Sequence, residues 1–340
     1  MNNILLFLLL LCQLLQQMCG QMNFPTAPMT AIVNNEQCLC YPGTTCPSGG
    51  GIDIRIVNTG TTCPSGQVYC CTSPVDNINC GIQNISRPHL PGQAAYGAYP
   101  WQVAILTNGN DYLGGGVLVS PMYVLTAAHK VENYVNNPSA IKAKLGAIVL
   151  RSDSQSTTEP SVEISFSKVT LHPNYIPNPD PKKQNLHNDI AVLRLCSAAP
   201  IATNPNINTA CLPNGPVDAL AGTRCWVTGW GKNGFNGLEQ NILKEVDVPV
   251  LTNAACQTEL RKTRLGEHFV LDTNSMCAGG EAGKDACTGD GGSPLVCSIN
   301  NRPFQVIGLV IWGIGCADPK IPGVYTNVYN YLSWIKEQMT

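Results

Sequence analysis

Charged side chains are scarce in this sequence. Asp, Glu, Lys and Arg make up 12% of the 340 residues, and the formal net charge is −2. That share is about half the usual one for a globular protein, and no long basic run is present. We therefore expect no nucleic-acid partner, because such binding rests on many Lys and Arg contacts to phosphates. With 44% hydrophobic residues, the chain still has enough apolar side chains for a sizeable core.

Long apolar stretches are equally rare. The main one covers residues 4–15 and is followed by the small residue Gly20. This length is typical of a secretory signal peptide and is too short to cross a bilayer as a helix. We expect residues 1–20 to be a signal peptide and the mature protein to be secreted, with no membrane partner. A signal anchor is the alternative.

Cysteine, in contrast, is abundant. The 17 cysteines indicate an oxidising compartment. The 32 Gly and 25 Pro favour a loop-rich, all-β chain over a helical bundle. Removal of the signal peptide takes away Cys12 and Cys19 and leaves an odd number of cysteines, so one is left over.

Six cysteines crowd into residues 38–71, which hold few large apolar side chains and therefore need disulfides for stability. A zinc knuckle is the rival interpretation, but the segment contains no His. We interpret residues 21–37 as a flexible lead and residues 72–87 as a polar linker. The linker contains one sequon, at Asn84, which predicts a glycan.

The remaining residues, 88–340, show a β pattern. Near the end, apolar residues fall at helical spacing and predict a C-terminal helix that packs on the β body; they are Val328, Leu332, Ile335 and Met339. Elsewhere, short apolar runs between Gly, Pro and Asn clusters predict strands. These runs are residues 101–106, 117–125, 190–195, 225–228, 306–312 and 324–328.

Five motifs in this part resemble those of the chymotrypsin/trypsin-like serine proteases in order and spacing. They are LTAAH at 125–129, NDIAVL at 188–193, WVTGWG at 226–231, CTGDGGSPLVC at 287–297 and PGVYT at 322–326. The cysteine-rich segment, which ends in Cys70-Cys71, resembles an arthropod clip domain. The resemblance implies a small clip domain followed by two six-stranded antiparallel β-barrels and a C-terminal helix, with the site between the barrels.

Peptide hydrolysis on this fold needs a hydroxyl nucleophile, a His base and a carboxylate that orients the His. By resemblance, His129 and Asp189 match the base and the carboxylate. Gly289 and Gly291 match the oxyanion hole. The family phrase Gly-Asp-Ser-Gly-Gly-Pro here runs Gly-Asp-Gly-Gly-Ser-Pro from residue 289. Gly291 therefore takes the nucleophile position, and glycine has no atom with which to attack.

Ser293 lies two residues beyond that position. Successive Cα atoms are about 3.8 Å apart, whereas a nucleophile must lie within about 3 Å of its base. We therefore expect that Ser293 does not replace the missing serine. Two other features of active members are also lost. Ile311 stands where a Ser usually helps to hold the triad carboxylate, and Leu113 and Lys130 replace a pair of bridged cysteines.

The specificity pocket is partly kept. Asp285 matches the carboxylate with which trypsin-like enzymes bind Arg or Lys. Gly313 and Gly323 match the two glycines that leave the pocket open. Two interpretations stay open: a cleft that still accepts a basic side chain without cutting, or a relic of an active ancestor.

Activation also departs from the family pattern. No Ile-Val-Gly-Gly is present, and a gap-free count places the usual cleavage bond at Arg87-Pro88. We therefore expect Asp290 to lack the new N-terminus that is its usual partner. Arg55 is the one Arg or Lys before Arg87 and is our candidate processing site. Ala147 follows Leu-Gly where calcium-binding relatives carry Glu, and we expect no metal or cofactor.

The resemblance also implies disulfides. In the protease-like part the implied pairs are Cys80–Cys211, Cys225–Cys297, Cys256–Cys277 and Cys287–Cys316. In the clip segment they are Cys38–Cys70, Cys40–Cys63 and Cys46–Cys71, although six cysteines alone allow 15 pairings. Cys196 is left over, either as a buried thiol or as a bridge to a second chain.

Three functions compete. The leading hypothesis is a secreted, catalytically inactive clip-domain protease homologue in arthropod haemolymph, acting as a cofactor or adaptor in prophenoloxidase activation. Its expected partners are a clip-domain protease, prophenoloxidase or another copy of itself. The second is an active trypsin-like protease that cleaves after Arg or Lys. The third is a microbe-surface recognition protein on the same scaffold.

Overall fold

The chain divides into two compact units, residues 1–79 and 80–340. The computed structural model describes residues 30–33, 36–42, 67–72, 80–85, 90–151, 160–177, 186–232, 237–238, 240–287, 289–299, 302–316 and 318–339.

The N-terminal unit contains a three-stranded antiparallel sheet in the order β1-β2-β3. Its strands are β1 (Thr30–Val33), β2 (Glu36–Pro42) and β3 (Gln67–Thr72). The sheet begins at Thr30, inside the segment that we expected to be a flexible lead (residues 21–37). The run Thr-Ala-Ile-Val is β-prone, and it pairs with β2 as a hairpin in which Val33 lies opposite Glu36.

Several expectations for this unit lie outside the described residues. They are the signal peptide at residues 1–20 and the processing site Arg55; the bond Arg87-Pro88, which belongs to the second unit, is also outside the described residues. The three expected clip disulfides also lie there, because no side chain of this unit is described. The backbone register of β2 and β3 places Cys38 opposite Cys71 and Leu39 opposite Cys70.

The second unit starts at Cys80, earlier than the boundary of residue 88 that we expected. The N–H of Gly81 donates to Thr209 O at 2.6 Å, and the N–H of Phe304 donates to Gly81 O at 2.9 Å. A disulfide joins Cys80 to Cys211. The expected linker (residues 72–87) therefore overlaps β3 at one end and the second unit at the other. The attachment consists of backbone hydrogen bonds and a disulfide, so the polar composition of this segment does not indicate it.

The second unit is built from two closed antiparallel barrels of six strands each, as the resemblance implied. The first has the order β4-β5-β6-β9-β8-β7. Its strands are β4 (Gln102–Thr107), β5 (Tyr112–Ser120), β6 (Tyr123–Thr126), β7 (Ile141–Leu145), β8 (Val162–Leu171) and β9 (Ala191–Leu195). Inward residues such as Val103, Leu118 and Phe166 form its buried core.

The second barrel has the order β10-β11-β12-β15-β14-β13. Its strands are β10 (Arg224–Gly229), β11 (Lys244–Leu251), β12 (Ser275–Gly279), β13 (Pro294–Cys297), β14 (Gln305–Trp312) and β15 (Pro322–Asn327). Another core cluster joins both barrels through fully buried residues, among them Trp101, Val117, Trp230 and Val296. Burial of these apolar surfaces holds the barrels together.

The apolar runs of the sequence coincide with strands whose two faces are both largely buried. Residues 117–125, read as one run, are two strands joined by a turn at residues 121–122. Strands β7, β8, β11, β12 and β13 were not predicted. The long strand β8 alternates buried Ile164 and Phe166 with exposed Glu163, so its apolar residues do not form a continuous run.

The described residues of the second unit also form three short α-helices: α1 (Ala128–Val131), α2 (Asn253–Arg261) and α3 (Leu332–Gln338). Four 3₁₀ turns occur in the described part of the chain, at Glu132–Tyr134, Pro138–Ala140, Val217–Leu220 and Val328–Tyr331. The predicted C-terminal helix is confirmed as this last turn plus α3, with Val328 and Ile335 fully buried. None of the helices in the described ranges has the length and hydropathy that a membrane crossing requires.

Candidate functional site

His129 stands in α1, immediately after the edge where β6 ends. Its backbone N–H donates to Asp189 Oδ1 at 2.9 Å, and its Nδ1 lies 2.6 Å from Asp189 Oδ2. This double contact fixes the orientation of the ring and leaves Nε2 to face the cleft. The His129 side chain is 25% exposed, so a ligand in the cleft can reach it.

Asp189 is buried two residues before β9 begins at Ala191. Its backbone carbonyl accepts a hydrogen bond from Thr326 Oγ1 at 2.7 Å, which anchors it to the second barrel. Ile311, at the position where active members carry a serine, is instead buried among Ala127 and Val324. The structure therefore brings together the His129–Asp189 pair, and the neighbouring serine is replaced by an apolar contact.

Gly291 lies directly opposite His129. A Cβ built on Gly291 would stand 3.1 Å from His129 Nε2. A serine at this position would carry its hydroxyl one bond from that Cβ, and therefore beside the base. The Gly291 carbonyl accepts from the Gly115 N–H at 3.0 Å, which ties this loop to β5. Gly289 and Gly291 both line the cleft.

Ser293 is placed elsewhere. Its side chain is fully buried, and a Cβ on Gly115 would overlap its Oγ at 1.9 Å. A Cβ on Gly229 would come within 3.2 Å of the same oxygen. Ser293 therefore fills a space between β5 and β10 that two glycines leave open, and its hydroxyl is shielded from any substrate in the cleft.

Lys130 was recognised in the sequence only as a lost cysteine. In the structure its aliphatic chain runs past Gly114 and Gly291: a Cβ would meet Lys130 Cε at 2.9 Å on the first glycine and at 2.5 Å on the second. Burial lowers the pKa of Lys130, while Asp290 and Asp189 act in the opposite direction. Glycine at both Gly114 and Gly291 leaves room for the Lys130 side chain, and this is the sequence signal that could have indicated its position.

Asp290 is buried next to this loop. Its Oδ1 accepts the Gly231 N–H at 2.8 Å, and its Oδ2 accepts the Cys287 N–H at 2.9 Å. Burial raises the pKa of Asp290 to about 6, although both hydrogen bonds and nearby Lys130 favour the carboxylate. Both oxygens of the Asp290 carboxylate thus accept hydrogen bonds from backbone N–H groups. In active relatives this carboxylate pairs with the new N-terminus.

The pocket residues meet in a cavity of about 260 Å³ that also includes His129, Lys130 and Gly291. Asp285 stands in its wall, where a Cβ on Gly323 would lie 3.1 Å from Asp285 Oδ1 and 3.3 Å from the Tyr325 hydroxyl. Gly313 also lines this cavity. The structure therefore brings Asp285, Gly313 and Gly323 together next to the His129–Asp189 pair.

A larger cavity of about 730 Å³ lies beside the second barrel, and both Asp285 and Asp290 contribute to its wall. Asp247 also lines it and receives Arg224 Nε at 2.5 Å and Lys284 Nζ at 2.6 Å. Among the described residues, no group of three or more His, Cys, Asp or Glu is arranged to hold a metal ion.

The four cysteine pairs of the second unit are joined as disulfides: Cys80–Cys211, Cys225–Cys297, Cys256–Cys277 and Cys287–Cys316. Cys196 belongs to none of them, is partly buried, and donates its backbone N–H to Ser165 O at 2.9 Å. Asn84 is exposed, and its glycosylation stays a prediction.

The sequence is similar to those of known proteins. The family model described as Trypsin matches residues 92–335. The chain belongs to the trypsin family. Two relatives bear names that describe an inactive protein: inactive CLIP domain-containing serine protease A3 of Aedes aegypti and A8 of Anopheles gambiae. A third is phenoloxidase-activating factor 2 of Galleria mellonella. The chain is thus a clip-domain serine protease homologue of the trypsin family.

The extent of these similarities is as follows. The Aedes protein is 46% identical over 88% of this chain and 66% of its own length. The Galleria protein is 42% identical over 73% of this chain and 82% of its own length. The Anopheles protein is 36% identical over 71% of this chain and 65% of its own length. The chain therefore spans about two thirds of the two mosquito relatives.

Proposed function

We propose that this trypsin-family protein is a secreted, non-catalytic adaptor in an arthropod immune protease cascade. The observation that carries the proposal is the placement of Gly291 opposite His129, where the nucleophile of an active protease stands. His129 can still accept a proton, but the residue it faces has no hydroxyl to give one. Without nucleophilic attack no acyl intermediate forms, and little acceleration is left.

The cascade assignment is supported by the relatives. One is named as a phenoloxidase-activating factor and two as inactive proteases. An inactive member acts by docking, so its partners are proteins: the activating clip-domain protease, prophenoloxidase or a second copy of this chain. Localisation in haemolymph belongs to the same proposal.

The docking site we assign to the second unit is the cleft that contains Asp285. Glycines at 313 and 323 keep it open, and the partly buried carboxylate of Asp285 in its wall favours a cationic side chain. Because Gly291 cannot be acylated, an Arg or Lys side chain bound there would not be consumed. The cleft would then hold a partner reversibly through one basic anchor.

The active-protease alternative finds no support in the position of Ser293. Its hydroxyl lies between β5 and β10, away from the cleft. Recognition of microbial surfaces has no particular feature of the described residues in its favour.

Two measurements test the proposal. A fluorophosphonate probe should leave the purified, processed protein unlabelled while it labels trypsin in the same tube. A reconstituted mixture of prophenoloxidase and its activating protease should gain activity when this protein is added. Labelling, or no gain with the correctly processed protein, would contradict the proposal.

The docking cleft has its own test. The fluorescent amidine p-aminobenzamidine should bind the wild-type chain and lose at least tenfold in affinity on Asp285→Ala. The matched control is Asp218→Ala, which removes an exposed carboxylate outside both cavities. Equal affinity for all three proteins would show that Asp285 does not recognise the cation.

A further inference from the structure

The cleft carries opposite charges on different parts of its wall. The carboxylate of Asp285 lies beside Gly323 and Tyr325, whereas Lys130 passes Gly114 and Gly291. Both charged side chains and His129 line the same cavity of about 260 Å³. A ligand that satisfies this wall needs a cation at one end and an anion at the other.

Lys130 stands at the part of the cleft where the main chain of a bound substrate would be attacked. Its Cε lies 2.5 Å from the position of a Cβ on Gly291, and the terminal amine is bonded to this Cε, so it lies close to this corner. In an active protease this corner holds a nucleophile that breaks the chain after the basic residue. Here it offers an ammonium group, which attracts a carboxylate.

A residue with both charges at the required places is an arginine or lysine at the very end of a polypeptide. Its side chain supplies the cation for Asp285, and its α-carboxylate supplies the anion for Lys130. We propose that the cleft binds polypeptides that end in a free C-terminal Arg or Lys, the ends that trypsin-like cleavage produces. This inference rests on the docking function of Asp285 proposed above and names its ligand.

Such a cleft would distinguish a C-terminal Arg from an internal Arg. An internal Arg has a neutral amide at the place where the C-terminal residue has a carboxylate, so it pairs with Asp285 alone. The protein would therefore recognise a cleaved partner more tightly than the same partner before cleavage. A docking receptor of this kind would report that an upstream protease has acted.

Burial has two effects on the Lys130 amine. It lowers the pKa of the amine, whereas the carboxylates of Asp290 and Asp189 favour the charged form. Partial removal of water also strengthens the attraction between an ammonium and an incoming carboxylate. The competing arrangement is one in which the Lys130 side chain only fills the empty corner and blocks the cleft.

The experiment uses the full chain and three peptides of one sequence. The first ends in Arg with a free carboxylate, the second ends in the same Arg as an amide, and the third continues by two residues beyond the Arg. Affinity is measured by fluorescence anisotropy. We expect the free acid to bind at least tenfold more tightly than the other two peptides.

Single-residue variants test whether the preference for the free acid depends on Lys130. Lys130→Met should bring the acid to the affinity of the amide, while Lys336→Met, an exposed lysine of α3, should leave the difference intact. Asp285→Asn should weaken all three peptides. Thermal unfolding checks each variant, and Lys130→Gln replaces Lys130→Met if that variant does not fold.

The possible failures are distinguishable. Equal affinity of acid and amide for the wild-type chain would overturn the carboxylate inference and leave basic-side-chain docking standing. An acid preference that survives in both Lys130 variants would overturn the role of Lys130. Absence of binding by all three peptides would mean that Lys130 blocks the cleft, and it would overturn the docking cleft as well.

Discussion

At the scale of single residues, glycine and serine are exchanged within the loop that holds the nucleophile of an active member. Gly291 offers no side chain to His129, and Lys130 Cε passes there instead, while Ser293 fills a space between β5 and β10. The two changes have opposite spatial effects. The first removes the reacting atom, and the second places a hydroxyl where it is buried and inert.

Restoring the nucleophile alone should not restore activity. Gly291→Ser places a hydroxyl within reach of His129, but its Cβ meets Lys130 Cε at 2.5 Å, so the lysine must move first. Ile311 and the missing activation terminus also remain. Because triad members act as a unit, one repair gives little. We expect hydrolysis of a small Arg substrate to stay at least a thousandfold below trypsin, with Gly291→Ala as the control.

A rate near that of trypsin for the single variant would show that the rest of the site is intact. If the double variant Gly291→Ser/Lys130→Ala exceeds the single variant by tenfold or more, the obstruction by Lys130 is confirmed. If the two are equal, the limiting defect lies at Ile311 or at the activation terminus.

At the scale of elements, the loop before β13 depends on glycines that touch the first barrel. Gly292 has a φ of +82°, and a Cβ on it would lie 2.2 Å from Thr126 Oγ1 and 2.5 Å from Gly115 O. Thr126 Oγ1 in turn donates to Gly115 O at 2.7 Å. The loop from one barrel thus lies against the backbone of β5 and β6 from the other.

This contact predicts that alanine destabilises the protein more at Gly292 than at Gly266. Gly292→Ala should lower the free energy of unfolding by at least about 2 kcal/mol, because it adds a steric overlap to the strain of a positive φ. Gly266→Ala has a nearly equal φ of +78° but nothing within 4 Å of its Cβ. It should cost about 1 kcal/mol from backbone strain alone. Urea denaturation measures both, and equal losses would show that the barrel contact is soft.

At the scale of the whole molecule, one buried carboxyl should shape the dependence of stability on pH. The pKa of Asp290 is raised to about 6 in the folded protein, above the value of about 3.9 expected in the unfolded chain. The folded state therefore binds more protons between these values. The stability contributed by this group is present below about pH 4 and is lost as the pH rises through 6.

We expect the wild-type protein to gain about 1 kcal/mol relative to Asp290→Asn when the pH falls from 7 to 5. Chemical denaturation of both proteins at the two pH values gives this difference, in which other titrating groups cancel. A difference of zero, or one of opposite sign, would mean that Asp290 is ionised throughout, as its two backbone donors and Lys130 favour.

Processing is also a property of the whole chain. A trypsin-like activator has Arg55 as its one site before Arg87, and the implied disulfides of the clip segment cross that position. Cleavage should therefore give two pieces on a reducing gel and one band without reductant. N-terminal sequencing should find a chain that begins at Ile56. A chain that begins at Pro88, with none at Ile56, would contradict this prediction.

The sequence by itself determined the fold class, the two barrels through the family motifs, the C-terminal helix, and the positions of His129, Asp189 and Gly291. The C-terminal helix follows from local periodicity, whereas the barrels and the site positions follow from the resemblance of short motifs to those of the family. Only the tertiary structure decided that Lys130 passes Gly291, that Ser293 lies against Gly115, and that the second unit begins at Cys80. Each of these contacts joins residues that are far apart in the chain, so it depends on how the barrels close and pack, which no local pattern specifies.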